Sequence, residues 1–239
     1  QNNLGQLLAG LGRREEARAA YQAARDIFKK LVEQFPAVPA YQISLGGSYG
    51  NYGILIGSEG KPAESLEWFD LAIRALKPVH DQEPRDVTAK QLLRISHSNR
   101  ALAFDRLQKF ADAVKDWDRA IELSPPAEQL ILRASRATSR LQAGLVAEAV
   151  AEVAELTKSP NWNAGQWYDF ACVYAVAGGK IADKKQEYAD RAMELLTLAC
   201  AAGWKDAAHM KQDTDLDPLH ERADFKKLLA ELEGQSPKK

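Results

Sequence analysis

The stretch LQKFADAVKDWDRAIELSP, residues 107–125, sets the register of the whole chain. Ala113, Trp117 and Ala120 stand at i, i+4 and i+7 and so share one helix face, and Pro125 ends the segment. Stepping back 48 residues lands on Ser65, Phe69 and Ala72, and 48 more on Ala17, Tyr21 and Ala24. A second series keeps the same spacing: Asn3-Leu4-Gly5, Asn51-Tyr52-Gly53 and Asn99-Arg100-Ala101. Further along the steps shorten. Ala113 to Ala149 is 36, and the Gly5/Gly53/Ala101 slot recurs at Ala137 and Ala171, after 36 and then 34 residues. The first two repeats therefore carry about 14 extra residues, roughly two turns on each arm of a helical hairpin.

The slots that recur hold small residues: Gly5, Gly53, Ala101, Ala137 and Ala171 on first arms, and Ala17, Ser65, Ala113 and Ala149 on second arms. Tyr21, Phe69 and Trp117 supply the bulk beside them. Helices that cross at such slots approach closely, so each hairpin lends an apolar face to the next and the stack shares a core. The pattern predicts an all-α solenoid of about five antiparallel helix hairpins, near 1–36, 37–84, 85–125, 126–159 and 160–203, with capping helices and a tail over 204–239.

Individual elements follow from periodicity and punctuation. A helix from Arg13 to Phe35 has the apolar face Ala17, Ala20, Tyr21, Ala24, Ile27, Phe28, Leu31 and Phe35, and Pro36 stops it. The next helix, about Val38 to Gly57, contains five glycines, at 46, 47, 50, 53 and 57. Each costs about 1 kcal/mol against alanine, so close approach of neighbouring helices is expected to offset them. The fifth hairpin is expected to turn through a longer loop rich in glycine and lysine after Ala177. Phe225, Leu228, Leu229 and Leu232 predict a last amphipathic helix.

Composition narrows the function. A net charge of −1 argues against a general nucleic-acid or membrane-surface binder. No apolar run approaches the ~20 residues of a membrane span; Phe170–Ala177 stops at Gly178-Gly179. Cys172 and Cys200 sit in apolar helical segments and read as buried free thiols, which fits a cytoplasmic setting. The chain starts at Gln1 without methionine and shows no signal peptide, so it reads as a segment of a longer protein, with Gly-Gln-Ser-Pro-Lys-Lys as a fraying natural end.

The repeat slots carry a resemblance to tetratricopeptide repeats over almost the whole length. Three stretches also resemble the repeat-bearing C-terminal regions of planctomycete-type bacterial serine/threonine kinases. These are Ala24–Pro36 with Tyr41 and Asn51-Tyr52-Gly53, then AVKDWDRAIEL at 113–123. The third is the tail from Phe170 through Tyr188–Ala192 to Asp213–Leu219 and Phe225. The resemblance implies a non-catalytic protein-interaction scaffold that binds a partner peptide or domain in a concave groove of first-arm helices, with a kinase domain upstream. No kinase motif lies within these residues, and no cofactor or metal is expected. Gly46-Gly47-Ser48-Tyr49-Gly50 lacks the lysine of a phosphate loop and falls inside a helical period.

Two rows of side chains are candidates for partner binding. Asn3, Asn51 and Asn99 recur one position before the packing pair, and an asparagine amide can hold an extended peptide backbone through a donor and an acceptor. The alternative is a bond to a neighbouring helix. The family's chaperone-tail clamp is not expected, because its basic positions read Asn2, Ile95 and Asn99. The second row is basic: Arg94, Arg100 and Arg106, then Arg133, Arg136 and Arg140. Residues 85–141 hold 11 Lys+Arg against 7 Asp+Glu. The row suits an acidic partner or, as an alternative function, a nucleic acid, of which Arg94, Arg106 and Arg133 would be the contacts. Helix-to-helix pairing with Asp112, Asp116, Asp118 and Glu122 competes with both. Trp117, Trp167 and Tyr174 fall at packing positions.

Overall fold

A computed structural model describes residues 1–235, so the end of the expected fraying tail, from Ser236 on, lies outside the described residues. Among them the chain is helical with no strand, as the period-3.6 pattern requires. It divides into two compact units, residues 1–132 and the chain from Arg133 on.

The first unit is built from hairpins. They are α1 (Asn2–Gly10) with α2 (Arg14–Gln34), α3 (Pro39–Ser58) with α4 (Pro62–Gln82), and α5 (Val87–Arg106) with α6 (Phe110–Glu122). A 3₁₀ turn (Pro126–Glu128) leads into α7 (Gln129–Gln142), within which the units divide. Prolines open α3 and α4, where their missing N–H costs nothing. Asp86 caps α5, its carboxylate accepting from Ala89 N at 2.7 Å.

Arm length changes inside the third hairpin. Helices α2 to α5 have 20 or 21 residues, whereas α6 and α7 have 13 and 14. The extra turns lie away from the hairpin turn. Gly53 and Ala101 each sit 14 residues into their helices, and Ala137 only 8. Ser65 lies 17 residues before the end of α4, and Ala113 only 9 before the end of α6. So α5 is a long arm paired with a short one. The turns share a left-handed residue at equivalent places: Gly12, Gly60 and Gly144 at φ +74°, +79° and +82°, and Gln108 at +57°.

The packing slots are buried, and the reason for glycine can be read at each. A Cβ on Gly5 would lie 2.5 Å from the Tyr21 ring, and on Gly53 2.8 Å from the Phe69 ring. Gly46 faces Leu76 as closely, at 2.5 Å. Close approach therefore accounts for Gly46 and Gly53 but not for the other three glycines of α3. At Gly47, Gly50 and Gly57 the nearest atoms stand 3.4, 3.5 and 3.7 Å away, ordinary contact for a methyl. The face expected on α2 is also shorter than its pattern. Ala17, Ala20, Tyr21 and Ala24 are buried, but Ile27 and Phe35 are about half exposed.

The second unit continues α7 and adds α8 (Val146–Leu156), α9 (Ala164–Lys180), α10 (Lys185–Ala201), α11 (Ala207–Gln212), a 3₁₀ turn (Thr214–Leu219) and α12 (Ala223–Gln235). One core runs through it, centred on α9 and holding Phe170, Leu195, Leu196, Met210, Leu216, Leu219 and Phe225. Asn163 and Gln166 form a reciprocal capping box at the start of α9. The loop expected after Ala177 is instead helix, because Gly178 and Gly179 stay in α9 and only Ile181 and a 3₁₀ turn (Ala182–Lys184) join it to α10. These glycines serve close approach: a Cβ would stand 3.3 Å from Lys185 O at Gly178 and 3.1 Å from Pro218 at Gly179. On α12, Phe225, Leu229 and Leu232 are buried and Leu228 half-buried. Cys172 is buried and Cys200 only half-buried. No described helix is long and apolar enough to cross a membrane.

Candidate functional site

In the first unit α1, α3 and α5 pack side by side as a layer of first arms, with α2, α4 and α6 behind. The asparagine row lies on this layer. Asn3 is exposed, and Asn51 and Asn99 are half-buried. Asn51 Oδ1 accepts from Gln6 Nε2 of the preceding first arm at 3.5 Å. Asn99 Nδ2 donates to Ile95 O at 2.9 Å, within its own helix. Asn51 Nδ2 and Asn99 Oδ1 have no hydrogen-bond partner among the described residues, so a donor and an acceptor remain. One turn further on, Gln6, Ile54 and Leu102 occupy equivalent slots, with Ile54 39% and Leu102 44% exposed. The next turn brings Arg106, whose Nη1 donates to Gly57 O at 3.1 Å. Polar amides beside exposed aliphatic side chains recur along one layer.

The arginines stand in a different setting. Arg94 Nη1 lies 3.2 Å from Glu128 Oε2. Arg100 grips the buried Asp116 through two nitrogens at 2.7 Å each and also reaches Asp70 on α4. His97 Nδ1 lies 2.7 Å from the same Asp116. In the second unit Arg133 Nε and Arg136 Nε each donate to the buried Glu152 at 2.9 Å, and Arg140 Nη1 at 2.8 Å. Burial alone would raise both carboxyl pKa values. The guanidinium hydrogen bonds outweigh it and hold Asp116 and Glu152 below the usual carboxylate range. Of the carboxylates expected to pair with the row, Asp116 does so, whereas Asp112 and Glu122 bond Lys115 and Arg119 on their own helix.

Glu152 is the residue that sequence reasoning missed, and the register could have found it. His97, Arg100 and Asp116 lie 36 residues before Arg133, Arg136 and Glu152. Forty-eight residues earlier the same three slots hold Tyr49, Tyr52 and Trp68. Those rings pack together, Tyr52 edge-on to Trp68 with centroids 4.5 Å apart and Tyr49 at 6.1 Å. One position of the repeat is thus aromatic in the second hairpin and ionic in the third and fourth.

A small pocket of about 160 Å³ opens in the second unit beside α9. Tyr168 stacks on Trp204 at 4.0 Å and donates its hydroxyl to Asp213 Oδ2 at 2.7 Å. Burial, followed by the neighbouring carboxylates, pushes the Cys172 thiol far up. Burial and Asp213 raise Asp169 to about 6. Among the described residues no three His, Cys, Asp or Glu side chains are arranged to hold a metal ion. Trp117, Trp167 and Tyr174 are all buried in the packing.

Comparison with known proteins agrees with the hairpin architecture. Residues 1–36 match the tetratricopeptide repeat family model. No curated protein sequence matches the chain. Among solved structures, the nearly identical TPR-like repeats of a kinesin light chain candidate from Podosopora anserina superpose with a TM-score of 0.61. Identity is 16%, with 89% of this chain and 95% of that one covered. YrrB, a TPR protein with an unusual peptide-binding site, aligns with a TM-score of 0.54 and 20% identity over 84% of this chain and 89% of its own. The fold is therefore that of tetratricopeptide-like helical repeats, with the repeat's sequence signature itself matched over residues 1–36.

Proposed function

We propose that the chain is a non-catalytic interaction scaffold, and that its first-arm layer binds an extended peptide or partner domain. The observation that carries this reading is the repeated pairing of Asn51 and Asn99, each with an unused amide group, and the exposed Ile54 and Leu102 one turn away. An extended peptide presents backbone N–H and C=O groups to such amides and alternate side chains to the aliphatic positions. The TPR-like fold supports the class of function, and the peptide-binding site of YrrB is a precedent on a similar fold. The arginine row contributes little to a nucleic-acid reading, because Arg94, Arg100, Arg133, Arg136 and Arg140 already bond carboxylates.

We further infer that these repeats are the tail of a serine/threonine kinase acting in the cytoplasm, on the strength of the three stretches that resemble such regions. Reading the chain upstream of Gln1 tests this, since a different catalytic domain there removes it. The binding site is tested by panning displayed peptides on the chain and measuring selected ones by fluorescence anisotropy. Asn51→Ala with Asn99→Ala is expected to weaken binding at least tenfold, and Ile54→Asp with Leu102→Asp to abolish it. Unchanged affinity in both variants rules out this face.

A further inference from the structure

The change of arm length leaves a ledge. Leu123, just past the end of α6, packs with Leu76 and Leu93. From Val87 to Leu92, α5 runs on beyond that point, backed by α3 and α4. Val87 is 76% exposed, more than any other large apolar residue among those described. A groove of about 530 Å³ lies along this ledge. Pro84, Val87, Leu123 and Pro125 give it apolar walls, and Arg85, Lys90, Arg94 and Glu128 surround them.

Charge decides what fits. Glu128 is engaged by Arg94, and the Asp86 carboxylate is used on the backbone of α5. Arg85 and Lys90 have no ion-pair partner among the described residues, and the positive end of the α5 dipole adds to them. A basic segment would be repelled. A neutral apolar one would bury two cations without compensation. The groove has no aromatic ring on which a nucleobase stacks, which favours protein over nucleic acid. Its volume is within the range of ligand pockets and suits a few residues rather than a domain.

We propose that this ledge is a second docking site, distinct from the first-arm face, for an acidic segment of a partner protein. A bulky apolar side chain of that segment lies between Val87 and Leu123, and its carboxylates meet Arg85 and Lys90. The site exists because α5 runs on past the end of the shorter α6.

The test uses a fluorescein-labelled octapeptide of alternating glutamate and leucine, and the same peptide with lysine for glutamate. Anisotropy is expected to show saturable binding of the acidic peptide and at least tenfold weaker binding of the basic one. Arg85→Glu with Lys90→Glu should reverse that preference, and Val87→Asp should abolish binding, while Asn51→Ala with Asn99→Ala leaves it unchanged. Arg85 and Val87 are exposed and Lys90, Asn51 and Asn99 are half-buried, and unaltered circular dichroism checks folding. Absence of saturable binding overturns the proposal. So does binding that survives the charge reversal, or that is lost only in the asparagine variant, which would place the peptide on the first-arm face. Sedimentation showing a dimer that Val87→Asp dissociates would assign the ledge to a second copy of the chain, and displacement by a single-stranded oligonucleotide would assign it to nucleic acid. Either result contradicts a partner segment.

Discussion

The second and third hairpins occupy equivalent places in the repeat and hold their arms together by different chemistry. In the second, Tyr49, Tyr52 and Trp68 pack as rings, with the Arg25 guanidinium 5.9 Å from the Trp68 centroid. In the third, Arg100 forms an ion pair with the buried Asp116, which His97 Nδ1 also contacts, and in the fourth Arg133 and Arg136 pair with the buried Glu152. The repeat fixes where two arms must be joined, not what joins them. An aromatic join depends on area and shape, and is largely indifferent to pH. An ionic join depends on every member being present, because a buried charge left alone costs more than the pair contributes.

The largest expected effect follows from that asymmetry. Glu152→Ala leaves Arg133, Arg136 and Arg140 without their shared carboxylate, and should cost about 3 kcal/mol, the lower end for a broken buried pair because the guanidinium groups are partly wet. Urea denaturation measures it, and a loss under about 1 kcal/mol would mean that the cluster is not structural. The same comparison has a pH signature. Asp116 and Glu152 have depressed pKa values in the folded state, so their stabilisation is full above the unfolded carboxylate range near 4 and is lost as pH falls through the lower folded values. Asp116→Asn with Glu152→Gln should flatten the acid limb of the stability profile, whereas Trp68→Ala should lower stability at every pH alike.

Smaller effects separate the glycines of α3. Gly53→Ala drives a methyl into the Phe69 ring and should cost about 1–3 kcal/mol. Gly50→Ala has room, its nearest neighbours being 3.5 and 3.9 Å away, and should gain up to about 1 kcal/mol in helix propensity. Thermal melts that move in opposite directions bear this out; equal shifts would contradict it. Smaller still is the turn of the third hairpin, where Gln108 takes the left-handed conformation that Gly12, Gly60 and Gly144 take elsewhere. Gln108→Gly should therefore stabilise by about 1 kcal/mol or less, a gain that the same melts would register.

Most of the fold was legible because the signal was periodic. The 48-, 36- and 34-residue steps fall on small residues that are buried in the structure, and the excess of 14 residues correctly implied long arms. Periodicity said less about exposure. Ile27 and Phe35 continue the apolar stripe of α2 yet are about half exposed. Glycine was ambiguous in the same way: Gly178 and Gly179 look like a loop in the sequence and are helix in the structure, because a missing Cβ serves close packing as well as a turn. At the candidate site the asparagine row could be named from the register, but its unused amide groups could not. The ledge on α5 was implied by comparing the two arms of one hairpin, a step that reading helices one at a time does not make.

The central claim is that equivalent slots perform one structural task with interchangeable chemistry. Urea denaturation of Trp68→Asp alone and of Tyr49→His/Tyr52→Arg/Trp68→Asp, which installs the third hairpin's cluster in the second, tests it directly. The single substitution should destabilise severely, and the triple should recover at least half of the loss with one cooperative transition. A triple variant no more stable than the single one would contradict the claim.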